Sequence, residues 1–154
     1  MSIFFLDPSA LTKRYLQEPG SDWVAALTDP ATGNIIVVAE ITRVEVAAAL
    51  AARHRAGTIT LNERDDLVSL VLQHFDSEYQ IVAIEPTVTS RAVALTQRHR
   101  LRGYDAVQLA AALAANEPLV AAGLLALTFL AADDDLVVAA RAEGLPAENP
   151  NQHS

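Results

Sequence analysis

"IFFLDPSALTKRYLQ", residues 3–17, is the stretch on which the fold turns. Its four leading apolar residues, Ile3 to Leu6, read as a short buried strand. Asp7 follows in the position of a helix N-cap, with Pro8 at the first helical position. The chain thus opens as a buried strand running into a helix, with a carboxylate at the strand's carboxyl end. The same alternation recurs outward from here. "GSDWVAALTDP", 20–30, reads as a second short helix stopped by Pro30, and "NIIVV", 34–38, as a β-branched strand. "AEITRVEVAAALAARHRAG", 39–57, is a long helix ended by Gly57. Thr60 and Glu63 make a capping box for a helix reaching about Tyr79. "QIVAI", 80–84, is a third strand, and Pro86 starts a helix ending near "RHRLRG", 98–103. "YDAVQLAAALAA", 104–115, is a helix that "NEP", 116–118, is expected to break. "LALTFL", 125–130, is a fourth strand, "DDDLVVAARAEG", 133–144, a last helix, and a fifth short strand is expected near Leu145. Strands alternating with helices predict an α/β fold, a parallel sheet covered on both faces. In such sheets ligands bind at the carboxyl ends of the strands.

The bulk properties bound what this fold can do. A chain of 154 residues with 51% hydrophobic and 19% charged residues suits one domain with a real core. Residues 1–148 are read as that domain, and the polar "NPNQHS", 149–154, as a flexible tail. There is no cysteine, which excludes disulfides and thiolate metal sites and fits a reducing cytoplasm. The N-terminus lacks the basic start of a signal peptide. The longest apolar run, 119–132, is interrupted by Gly123 and Thr128 and falls short of the roughly 18 residues of a membrane span. A soluble, cytoplasmic protein with no membrane partner is expected. A net charge of −8 argues against a general nucleic-acid coat protein but not against an enzyme that meets phosphates through bound cations.

No glycine-rich phosphate loop of either common type is present, and no G-x-S-x-G nucleophile elbow. His54, His74, His99 and His153 are scattered without an i,i+4 pair for zinc. The chemistry therefore falls to carboxylates. Asp7 stands at the end of the first strand, where capping alone also accounts for it. Glu45 shares a helix face with Ile41, Ala48 and Ala52, whereas Arg43 and His54 point elsewhere. A glutamate there is costly unless paired or bound to a cation, although an ion pair at the edge of the core also fits. Asp105 sits in the first turn of its helix on the side of Leu109 and Ala112, a place the helix dipole also favours. Of the three consecutive acids 133–135, Asp133 lies nearest the end of the fourth strand, while Asp134 and Asp135 fall in the first helical turn. Two like charges about 4 Å apart cost roughly 4 kcal/mol at an effective dielectric of 20. Carboxylates converging at the strand ends thus require a cation or raised pKa values. All-oxygen ligation suits Mg²⁺ or Mn²⁺, which can activate water and neutralise a phosphodiester transition state.

Four blocks, in order, carry a resemblance: "FFLDPSALTKRY" (4–15), "TRVEVAAAL" (42–50), "RGYDAVQLAAAL" (102–113) and "FLAADDDLVVAARAEGLP" (129–146). Together they resemble the PIN-domain ribonucleases, specifically the VapC-type toxins of bacterial toxin–antitoxin pairs, over nearly the whole chain. The resemblance implies a three-layer α/β/α sandwich on a short central parallel sheet. It implies a metal-dependent endoribonuclease, with Asp7, Glu45, Asp105 and Asp133 as the acidic cluster that binds Mg²⁺ or Mn²⁺ and supports catalysis. RNA is the implied substrate, a small antitoxin protein the implied partner, and a homodimer and a toxin–antitoxin hetero-oligomer the implied assemblies. The chain departs from the family pattern at Ala131, where the family often has Ser or Thr, and the acid run leaves Asp135 as a rival to Asp133. Ser9 keeps the hydroxyl that follows the first aspartate. Arg98, Arg100 and Arg102 either guide phosphates or complement the end of the preceding helix.

Three other readings compete. A phosphate-accepting receiver-type domain expects adjacent acids after the first strand and a lysine near a late strand. Asp7 stands alone, and the only lysine, Lys13, lies in the first helix. A haloacid-dehalogenase-like phosphatase expects a second aspartate two residues after the first, where this chain has Ser9. A non-catalytic binding module of the same fold is disfavoured by the complete acidic set, although Ala131 speaks for it.

Overall fold

The computed structural model describes residues 1–153. Five strands form one parallel sheet: β1 (Ile3–Leu6), β2 (Ile35–Ala39), β3 (Gln80–Val82), β4 (Thr128–Leu130) and β5 (Ala147–Glu148), in the order β3-β2-β1-β4-β5. The helices are α1 (Pro8–Leu11), α2 (Ser21–Thr28), α3 (Thr42–Arg55), α4 (Leu61–Ser77), α5 (Pro86–Arg98), α6 (Gly103–Ala121) and α7 (Asp134–Ala142). Helices on both faces of this sheet give the covered parallel sheet that the alternation predicts and the α/β/α sandwich that the resemblance implies.

Side-chain parity along the strands builds the two cores. Successive strand residues face opposite sides, and the register sets Phe5 beside Val37 and Phe129. These three belong to one core with Leu95 of α5, Leu109 of α6 and Leu136 of α7. The Phe5 and Phe129 rings stack there with centroids 5.6 Å apart. One residue further along, Leu6, Val38 and Leu130 face the other core, with Leu11 of α1, Val24 of α2, Leu50 of α3 and Phe75 of α4. Both faces of β1 and β4 are therefore sealed, which leaves the carboxyl ends of these strands as the place where polar groups emerge.

Besides the shorter third and fourth strands, the structure departs from the sequence reading at three places. The first helix ends at Leu11, and Thr12–Arg14 form a 3-10 turn. The Thr12 hydroxyl donates to the Pro8 carbonyl at 2.6 Å, a local bond that competes with helix continuation. Helix α6 runs through "NEP" to Ala121 with Pro118 inside it. Leu119, packed against the core, carries the helix past the proline, whose ring lies on the exposed side. Asn116 instead ties down the approach to β4 by accepting from the Leu127 N–H at 2.9 Å. At the C-terminal end, where fraying was expected, Pro150–His153 form a 3-10 turn and the His153 ring stacks on Trp23 at 3.9 Å between centroids. Gly20, at φ +84°, makes room: a Cβ there would collide with the Pro150 carbonyl.

Candidate active site

Asp7 sits where β1 gives way to α1. Its Oδ1 accepts from the Ala10 N–H at 2.9 Å, so it is an N-cap, and from the Ser9 hydroxyl at 2.6 Å. It is nonetheless buried. Burial pushes its carboxyl up to about 7, against the two hydrogen bonds, and the nearby Asp105 and Glu45 carboxylates add to the rise. The Ser9 Oγ also accepts from the Ala132 N–H at 2.9 Å. One hydroxyl thereby links Asp7 to the loop that delivers Asp133, beside the buried Ala131.

Glu45 lies in the first turn of α3 and is half-buried. Burial and then the Asp105 carboxylate raise its pKa, while a hydrogen bond from Gln108 opposes the rise. Gln108 is 1% exposed, and its Nε2 donates to Thr42 Oγ1 at 2.9 Å and to Glu45 Oε2 at 3.3 Å. Its Oε1 is buried and has no hydrogen-bond partner among the described residues. Such an orphan acceptor on an apolar helix is costly and points to a role at the site rather than in packing.

Asp105 is in the first turn of α6, and its Oδ2 accepts from Arg102 Nε at 3.2 Å. Asp133 is the N-cap of α7, with Oδ1 accepting from the Leu136 N–H at 3.2 Å and Oδ2 3.7 Å from Arg102 Nη2. Asp134 turns away and accepts from Asn149 Nδ2 at 2.9 Å. Asp7, Glu45 and Asp105 line one cavity of about 390 Å³ together with Ser9, Arg102 and Gln108. Asp133 lies in a neighbouring cavity of about 530 Å³, which it shares with Asp105, Asp135, Arg100 and Arg102. The four expected acids thus collect at one end of the sheet, three in one lobe and the fourth in the next. As placed, no three His, Asp or Glu side chains among the described residues stand close enough to hold a metal ion. Arg98 is drawn away to Glu143 at 2.9 Å, so of the three arginines only Arg100 and Arg102 face the cavities.

Sequence reasoning missed Gln108, whose signal was a lone amide three positions after Asp105 in the apolar run 106–115. It also missed the bridge that Arg102 makes between acids on two different helices.

The chain belongs to the PIN-domain family, whose model matches residues 4–140, and within it stands with the VapC-type members. It is 35% identical over 118 residues to ribonuclease VapC45 and to ribonuclease VapC49, from two strains of Mycobacterium tuberculosis, covering 77% of this chain and 80% of each relative. In fold it is similar to FitAcB from Neisseria gonorrhoeae, with a TM-score of 0.66 at 15% identity over 96% of this chain and 97% of the other. VapBC2 from Rickettsia felis, bound to a DNA fragment from its promoter, gives a TM-score of 0.62 at 16% identity over 96% and 98%. Among the described residues no helix is long and apolar enough to cross a membrane.

Proposed function

We propose that this protein is a metal-dependent endoribonuclease and the toxin of a toxin–antitoxin pair, as the names of its relatives suggest. The observation that carries the reading is the buried carboxyl of Asp7, pushed up to about 7 with Glu45 and Asp105 beside it. With all three ionised, that arrangement is unfavourable in the absence of a compensating positive charge. The donor set is all oxygen and suits Mg²⁺ or Mn²⁺. Arg102, lying between Asp105 and Asp133, already supplies a positive charge where a cation would sit, which supports the fit. Asp7, Glu45, Asp105 and Asp133 would hold the ion once Arg102 withdraws. When bound, it would lower the pKa of a water molecule and neutralise charge on the phosphodiester.

The chain's own residues do the rest. Gln108 fixes the Glu45 carboxylate from behind, and Ser9 holds Asp7 and the β4–α7 loop in register. Arg100 and Arg102 at the rim offer phosphate-facing charge in a protein of net charge −8. In the reaction the water oxygen joins phosphorus, the bond to the leaving ribose oxygen breaks, and a proton returns to that oxygen. Single-stranded or looped RNA fits a recessed site, because its backbone can bend into it. A small antitoxin protein is the proposed partner, and a homodimer the proposed assembly of the toxin itself.

The test is cleavage of RNA by purified, partner-free protein with Mg²⁺ or Mn²⁺. Wild type is expected to cut, and Asp7→Asn to lose at least 100-fold in rate, beyond the usual effect of a supporting residue. Asp133→Asn should lose far more than Asp134→Asn or Asp135→Asn. Absence of cutting with either ion would overturn the enzyme reading. Growth arrest on expression, relieved by the neighbouring small gene product, tests the toxin reading.

A further inference from the structure

Arg102 and Asp105 are the two residues that line both lobes of the acidic groove. From the start of α6 the Arg102 guanidinium reaches Asp105 Oδ2 through Nε at 3.2 Å and Asp133 Oδ2 through Nη2 at 3.7 Å. It thereby stands across the groove, with Asp7, Glu45 and Gln108 on one side and Asp133 and Asp135 on the other. Yet its side chain is 81% exposed, against 18% and 34% for the two acids it spans. Among the described residues only these two carboxylates hold it in place. An exposed ion pair is weak and easily exchanged, and an exposed arginine changes rotamer within nanoseconds.

We infer that Arg102 is a built-in competitor of the divalent cation: in the cation-free protein it neutralises Asp105 and Asp133 and partitions the groove, and it must swing out before the ion can bind. The inference rests on the cation reading above. Arg102 can do this because it is long, permanently charged and forked, so that one side chain reaches carboxylates from two helices. A lysine at this position would bring the charge without the fork. Neutralisation by Arg102 also offsets the charges of Asp105 and Asp133 while no ion is present. Entry of the ion replaces one positive charge by two and joins the lobes into a continuous groove.

The experiment measures Mn²⁺ affinity by isothermal titration calorimetry on the full chain, for wild type, Arg102→Gln and Arg100→Gln. Arg100 lines the same cavity but makes no ion pair among the described residues, so it controls for long-range charge. Arg102→Gln is expected to bind Mn²⁺ roughly three- to tenfold more tightly than wild type, the range of one or two exposed ion pairs. Arg100→Gln should change affinity less than twofold. Thermal unfolding gives a second readout: Mn²⁺ should raise the melting temperature of Arg102→Gln by more than it raises that of wild type. Equal or weaker binding by Arg102→Gln would overturn the inference, as would equal tightening in both variants. If wild type binds Mn²⁺ in those cases, the cation reading stands and only the role of Arg102 falls. No binding by any of the three overturns both.

Discussion

Asp7 is the residue at which capping and chemistry meet. Its folded pKa, about 7, lies above its ordinary 3.8, so folding takes up a proton between those values. The contribution of Asp7 to stability is accordingly greatest below 3.8, falls as pH rises to about 7, and is level beyond it. Asp7→Asn cannot ionise, so in urea unfolding without divalent cations it should lose less stability than wild type between pH 5 and pH 8. The difference is expected to be on the order of a few kcal/mol. Identical slopes in the two proteins would contradict a buried, cation-starved carboxyl. This residue was legible in the sequence because strand, cap and proline are adjacent. Gln108 and the Arg102 bridge were not. Thr42 is 66 positions from Gln108, and the Asp133 end of the Arg102 bridge lies at the start of another helix. No local pattern encodes such pairings, although Asp105 is only three residues from Arg102.

Elements were read best where a local signal fixes their ends. The capping box that starts α4 is present in full, with the Glu63 N–H donating to Thr60 Oγ1 at 3.1 Å and the Thr60 N–H to Glu63 Oε1 at 3.0 Å. Thr60→Ala should cost about 1 kcal/mol in chemical denaturation. A cost below a few tenths would mean that α4 is held by packing alone, through Val71 and Phe75. Elements were read less well where tertiary packing overrides propensity. Pro118 signals a break, but burial of the preceding alanines and packing of Leu119 keep α6 continuous. The strand reading 125–130 was too long, because residues 125–127 are apolar without pairing, and only Thr128–Leu130 hydrogen-bond to β1.

Across the whole molecule, the fold class followed from alternation alone, whereas the convergence of Asp7, Glu45, Asp105 and Asp133 depends on strand order. With β1 between β2 and β4, the loops carrying Asp7 and Asp133 emerge side by side. The result concentrates negative charge in a protein already at −8. A divalent cation should therefore stabilise the fold globally, by about 2.7 kcal/mol at a hundredfold excess over Kd. Thermal or urea unfolding with and without Mg²⁺ measures this. A variant lacking both Asp105 and Asp133 should gain much less, and equal gain would contradict the proposed ligands.

The pairing of β1 with β4 also has a temporal side. Asp7 leaves the ribosome 126 positions ahead of Asp133, a delay of about 6 to 25 s at about 5–20 residues per second. During that interval the emerging chain can pair β1 with β2 but has neither β4, the strand on its other side, nor the fourth acid. The groove is therefore completed only once Asp133 has been added, and a product truncated before it carries the first carboxylate but no finished site.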